Sequence, residues 1–419
     1  MIKFKEMTLL FSLPLLLIFT SLFLQNPAKI LEGISQIVLS PGLLLTDYLA
    51  IGGLNATLLN AGLCGLASAL LILLCKIEVN GPFIAAVYTV VGFAFFGKNI
   101  FNIWPILGGV YLSGIYKKIP FRNNLLIALF GTTLAPLVSF FAFGSGLPTL
   151  QGVLLGISFG LASGFILPSL ASHMLRFHDG YNLYNVGFTG GIIGSFIVAN
   201  ARSFGVEIYT VNILSEEYDF FFKIFLGFVF IGLILTGLIF TRSSSEKIYI
   251  PLKRIYRSSG RLVSDFTILG NFPSTFINMG IMGIASMIFV FLVGGTLNGP
   301  IVGSILTVVG FAAFGKHVRN CFPILIGVVL ASFMKIWETS TTIVIIAGLF
   351  GTTLAPIAGQ YGFIAGMLAG FFHLSIVMNV ASLHGGINLY NNGFAGGFVA
   401  AFLVPIIDFI KRHGENYEG

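Results

Sequence analysis

A chain of 419 residues with 56% apolar and only 9% charged side chains lies far from the roughly one quarter charged that soluble domains carry, which excludes an ordinary water-soluble globular protein. The formal charge of +7 does not point to nucleic acid, because the basic residues sit in short clusters between apolar runs rather than along one polar face.

Apolar runs of about 20 residues, the length a hydrocarbon core demands of a helix, recur from Leu9 to Ile410. They lack the period-2 alternation of an outer-membrane barrel, so the predicted fold class is an all-α polytopic membrane protein. Lys3 and Lys5 precede the run Leu9 to Leu24. No small-x-small cleavage site follows Phe23, so residues 1–44 read as an uncleaved transmembrane helix and an interfacial segment. Six apolar segments follow near 54–75, 82–96, 99–115, 125–144, 148–172 and 181–201, within a unit spanning 45–202. Residues 203–261 hold a loop, a linker helix at 219–241 and a basic loop. A second six-segment unit occupies 262–412, before a tail at 413–419. The total is about 14 crossings. Segments 82–96 and 99–115 are joined only by Gly97-Lys98, so they either span or form a re-entrant hairpin with broken helices.

The second unit is a copy of the first. Asn80 to Leu112 aligns with Asn298 to Leu330 at an offset of 218 with 19 identities in 33 positions, including TVVGFA. The same offset pairs Asp47 with Asp265, Thr57 with Thr275 and Asn60 with Asn278. LFGTTLAP at Leu129 to Pro136 recurs at Leu349 to Pro356, and HDGYNLYNVGFTGG at His178 to Gly191 recurs as HGGINLYNNGFAGG at His384 to Gly397. A six-segment repeat followed by one linker helix places the second copy upside down.

Charge placement agrees with inversion, since Lys and Arg gather in short cytoplasmic loops. Lys3 and Lys5, then Lys117, Lys118 and Arg122, then Lys247, Lys253, Arg254, Arg257 and Arg261, and finally Lys411 and Arg412 all fall on one side. The acidic loop with Glu207, Glu216, Glu217 and Asp219 falls on the other. The loop matching Lys117 and Lys118 holds only Lys335 and Glu338. The expected location is the cell membrane, multi-pass, with both termini cytoplasmic.

Gly-Thr-Thr-Leu-Ala-Pro lies inside an apolar run in both copies. Gly and Pro weaken the helix there, and freed carbonyls with the hydroxyls of Thr132, Thr133, Thr352 and Thr353 can ligate a polar solute; the alternative is a packing kink with Thr back-bonded to its own helix. The stretch from His178 through Asn182, Tyr184 and Asn185, with its twin His384, Asn388, Tyr390 and Asn391, gathers amides, phenols and imidazoles before an apolar helix. It reads either as a solute-facing helix start or as an aromatic interfacial loop. Inversion is expected to set these two stretches at opposite faces, as two mouths of one path. Lys98 and Lys316 follow Gly97 and Gly315 in a shared FGK; snorkelling at the interface is the cheaper reading, and anion binding the alternative. Gly92-x4-Gly97-Lys98 imitates a phosphate loop, but Asn99 stands where Ser or Thr is required, which rejects nucleotide binding.

Gly156, Gly160 and Gly164 match Gly362, Gly366 and Gly370 as a small-residue ridge for close helix packing. His173 aligns with Asn379, and His373 with Leu167; neither is duplicated, so both read as packing residues. Cys64, Cys75 and Cys321 lack CxxC or His-rich partners and read the same way. No metal, cofactor or catalytic set is expected. No apolar segment carries Asp or Glu well away from its ends, and Asp47 and Asp265 stand only at repeat edges.

The TVVGFA, LFGTTLAP and NLYN-x-GF-x-GG blocks together resemble a family of bacterial integral membrane proteins with two copies of one domain, across nearly the whole chain. A fainter likeness is to urea transporters, which also pair inverted halves around a Phe-lined slot: Gly53-Leu54-Asn55-Ala56-Thr57-Leu58-Leu59 is similar to their Gly-Tyr-Asn-x-x-Leu segment but lacks the Tyr. That likeness implies an architecture rather than a substrate.

The expected function is a transporter or channel that moves a small polar solute or ion between the halves, in contact with the lipid bilayer, with self-association left open. One rival is an ion- or proton-coupled secondary transporter of an anion in which His178 and His384, or Asp47 and Asp265, titrate. Another is an intramembrane enzyme using His178 and Asp179, against which Asp179 becomes Gly385 in the second copy.

Overall fold

The computed structural model describes residues 4–24, 27–242 and 246–415, and among these the fold is helical, with one isolated backbone bridge, Thr46 to Ile213. In chain order the first half comprises α1 (Phe4–Leu24), α2 (Pro27–Leu39), α3 (Tyr48–Leu74), α4 (Gly81–Phe93), α5 (Ile103–Lys117), α6 (Phe121–Gly131), α7 (Ala135–Ser139), α8 (Thr149–Phe177) and α9 (Asn185–Ser203). The second comprises α10 (Asp219–Thr241), α11 (Tyr249–Arg257), α12 (Phe266–Leu269), α13 (Phe272–Leu292), α14 (Gly299–Phe311), α15 (Val318–Met334), α16 (Thr342–Gly351), α17 (Ala355–Tyr361), α18 (Phe363–His384) and α19 (Asn391–Glu415). Among the described residues nine helical stretches are long and apolar enough to cross a membrane. The chain is a polytopic all-α membrane protein.

The helix at the heart of each half is too short to cross. α4 and α14 have 13 residues each, about 20 Å at 1.5 Å per residue, against a core of about 30 Å, and both are buried along their whole length. Their starts are written in the sequence. Asn80 and Asn298 cap them by accepting from Phe83 N and Ile301 N at 3.2 and 3.1 Å, with Pro in the first turn of each. Their ends turn sharply at Gly97 and Gly315, both at φ +98°, a region that favours glycine.

The two short helices cross antiparallel. Cβ atoms added at Gly92 and Gly303 would lie 2.4 and 2.2 Å from each other's carbonyl oxygens, while Gly81 meets Ala313 and Gly299 meets Phe95. α9 and α19 meet at their starts, where Gly187 lies against Tyr390, Gly393 against Tyr184, Gly191 against Phe394 and Gly397 against Phe188; beyond that point α9 passes Asn388 and His384, and α19 passes Asn182. Equivalent helices that meet head to foot, as α4 and α14 do, are related by a two-fold axis perpendicular to them.

The repeat reaches one helix further than the alignable sequence. α1 packs on α3, where Gly62 and Gly65 meet Ile18 and Pro14; α10 packs on α13, where Gly280 and Gly283 meet Ile234 and Phe230. These glycines are the offset-218 equivalents, so α10 is the counterpart of α1, and the linker helix belongs to the second unit.

Candidate functional site

The duplicated GTTLAP motif forms a 3₁₀ turn in each copy, Thr132–Leu134 and Thr352–Leu354, interrupting α6–α7 and α16–α17. Its two threonines do different work. Thr132 donates its hydroxyl to Leu129 O, and Thr352 to Leu349 O, within their own helices. Thr133 instead donates across the halves to Asn388 Oδ1 at 2.7 Å and accepts from Tyr390 N at 3.0 Å; Thr353 donates to Asn182 Oδ1 at 2.6 Å and accepts from Tyr184 N at 3.0 Å. The backbone repeats the exchange, with Leu389 N donating to Thr133 O and Leu183 N to Thr353 O, each at 3.0 Å.

The two NLYN stretches do not stand at opposite mouths. Because each is bonded to the other half's broken helix, both dive to the centre, and the rings of Tyr184 and Tyr390 stack with centroids 5.5 Å apart. α9 and α19 start from this meeting point and leave in opposite directions, so the positive ends of both helix dipoles face the centre. Their first residues are anchored behind: Asn185 Oδ1 bonds His178 Nε2 and Asn391 Oδ1 bonds His384 Nε2, at 3.0 Å each, while the two amides donate to Ala171 O and Val377 O.

Aromatic rings close around the tyrosines. Phe93 lies 4.5 Å from Tyr390 and stacks on Phe350 at 5.1 Å; in the other copy Phe311 lies 4.7 Å from Tyr184 and 5.6 Å from Phe130.

The lysines do not snorkel. Lys98 and Lys316 are each 0% exposed, because the turns at Gly97 and Gly315 direct them into the aromatic centre instead of outward. Here the two copies part. Lys316 Nζ donates to the Tyr184 hydroxyl and to Thr352 Oγ1, both at 2.7 Å. Lys98 Nζ sits 5.2 and 5.5 Å from the ring centroids of Phe93 and Tyr390 and has no hydrogen-bond partner among the described residues.

A cavity of about 1010 Å³ leads toward this place from one side. Its rim includes Asn212, Glu216 and Ser340, and its floor is Phe96, Phe350 and Leu389. Phe96 and Phe350 both pack on Phe93, which places Lys98 directly behind the floor.

Asp47 and Asp265 are placed crosswise as well. Asp47 accepts from Gly299 N at 3.0 Å, at the start of α14, and Asp265 accepts from Gly81 N at 3.1 Å, at the start of α4. Asn60 and Asn278 hold the FGK turns by donating to the carbonyls of Ala94 and Lys98, and of Ala312 and Lys316. Asn60, Thr89, Phe93, Phe130 and their twins carry no site role in the sequence reading, although they are duplicated in register.

A family model described as "Protein of unknown function (DUF1576)" matches residues 26–203 and 244–409. The chain belongs to the DUF1576 family. No curated protein and no solved structure matches it. The two matched stretches of the DUF1576 chain begin just after α1 and just after α10, the two helices that share a place in the fold. Every residue of the central DUF1576 cluster lies within the matched stretches, and both copies contribute to it. Among the described residues no group of His, Cys, Asp or Glu is arranged to hold a metal ion.

Proposed function

We propose that this protein is a carrier for a small polar solute, which passes through the centre where the inverted halves meet. One observation supports this above the rest: two sets of residues equivalent in sequence hold unlike hydrogen bonds, Lys316 Nζ with two and Lys98 Nζ with none, beneath a cavity that opens on one side. Two inverted units of one fold have two packings of similar energy, and exchanging them moves the opening to the other face, which is alternating access. The crossed Thr–Asn bonds and stacked tyrosines are the joint about which the exchange takes place. The positive loops argue for a cell-membrane protein with both termini on the cytoplasmic side.

Purified protein in liposomes tests the reading through uptake of urea and glycerol on one hand, and chloride, nitrate, formate and acetate on the other. The expected result is saturable uptake of at least one solute above protein-free liposomes. Monodisperse, correctly folded protein that moves none of them would overturn it.

A further inference from the structure

Resting on the carrier reading, we infer that the solute is a small monovalent anion, held by Lys98 together with the hydroxyls of Tyr390 and Thr89.

Lys98 Nζ is buried and makes no hydrogen bond among the described residues, and the buried Tyr390 hydroxyl and Thr89 Oγ1 have only each other there. They are neighbours. Phe93 touches both Lys98 and Tyr390, and Thr89, one turn before Phe93 on α4, lies beside the Tyr390 hydroxyl. In the other copy the equivalent groups are all bonded: Lys316 to Tyr184 and Thr352, and Thr307 to Gly303 O.

The sign of the charge sets the class of solute. The centre holds two lysines and receives the positive ends of α9 and α19, and Asp47 and Asp265 are engaged with backbone amides at helix starts. A buried ammonium without a counter-charge is costly, and an anion supplies that charge while accepting from all three donors. One lysine per copy matches a single negative charge. The place behind Phe96, Phe350 and Leu389 is enclosed by aromatic rings, which limits the solute to a small one. When the halves exchange their packings, Lys316 takes the same role toward the other side.

Equilibrium binding tests this apart from transport. Thermal unfolding of the detergent-purified full chain is followed in sodium gluconate, with chloride, nitrate, formate or acetate substituted at constant ionic strength, and with urea as the neutral control. At least one small anion should raise the midpoint in a saturable manner, and urea should not. Lys98→Gln and Lys98→Met should weaken that anion at least tenfold, Lys98→Arg should stay within about threefold, and Thr89→Val should weaken it severalfold with the charge kept. A wild-type protein that no small anion stabilises, or a Lys98→Met protein that keeps wild-type anion affinity, would overturn the inference. Uptake of urea or glycerol without anion binding leaves the carrier standing and removes the anion; anion binding without any uptake does the reverse.

Discussion

Thr133 of the first repeat donates its hydroxyl proton to Asn388 of the second, and the same bond recurs with the repeats exchanged as Thr353 to Asn182. Each hydroxyl also accepts a backbone N–H from the tyrosine two residues beyond that asparagine. The unit that looks like a domain in the sequence is therefore incomplete alone, because its broken helix is closed by the other copy.

Thr133→Val leaves buried partners on both sides of the lost hydroxyl, at a cost of about 1–3 kcal/mol. Thr132→Val loses only a back-bond within its own helix and should cost well under 1 kcal/mol. Thermal midpoints of the purified variants should rank in that order. Equal midpoints would show that the crossed bond contributes nothing.

Lys98→Met removes an unpartnered buried ammonium, whereas Lys316→Met also strips Tyr184 and Thr352 of a donor. With lysine at membrane depth costing about 2.5–3.5 kcal/mol on insertion scales, Lys98→Met should raise the midpoint in sodium gluconate, and by more than Lys316→Met does. The opposite order would contradict the assigned asymmetry.

Gly92→Ala puts a methyl group 2.4 Å from the Gly303 carbonyl, between two backbones that cannot yield as a side chain can. A loss of about 1–3 kcal/mol is expected, and Gly303→Ala should match it because the contact is reciprocal. Wild-type midpoints in both variants would place the helices further apart.

Asp47 accepts from Leu49 N on one oxygen and from Gly299 N and Ser215 N on the other, so Asp47→Asn keeps an acceptor on one side only; it should lose less stability than Asp47→Ala and, once a transported solute is known, carry it with unchanged dependence on a pH gradient. Asp47→Ala removes the cap from two helix starts and should cost about 1–2 kcal/mol. A pH-gradient dependence abolished in Asp47→Asn would restore the rival reading in which this carboxylate titrates.

Much of this fold was legible in the sequence. The hydropathic runs marked the segments, the linker helix at 219–241 was found to the residue as α10, and both GTTLAP motifs do break their helices. Three things were not legible, each for a physical reason. α1 and α10 share a place but no alignable sequence, because each needs only an apolar face for the glycines of α3 or α13. Duplicated motifs carry no mark of which copy they touch, so the meeting of Tyr184 with Tyr390 was hidden, and the two stretches were expected apart. The depth of Lys98 depends on the turn at Gly97 and on rings contributed by the other half, so hydropathy alone favoured the interface.

The proposed carrier has one helical unit twice, facing opposite ways and closed by crossed contacts. Impermeant thiol labelling of single cysteines tests it, with Lys118→Cys and Glu338→Cys each placed in a chain whose Cys64, Cys75 and Cys321 are replaced by alanine. Both positions are exposed, at the ends of the equivalent helices α5 and α15. In intact cells only Glu338→Cys should react, with Lys118→Cys reacting after permeabilisation; reaction of both from the same side would contradict the inverted arrangement.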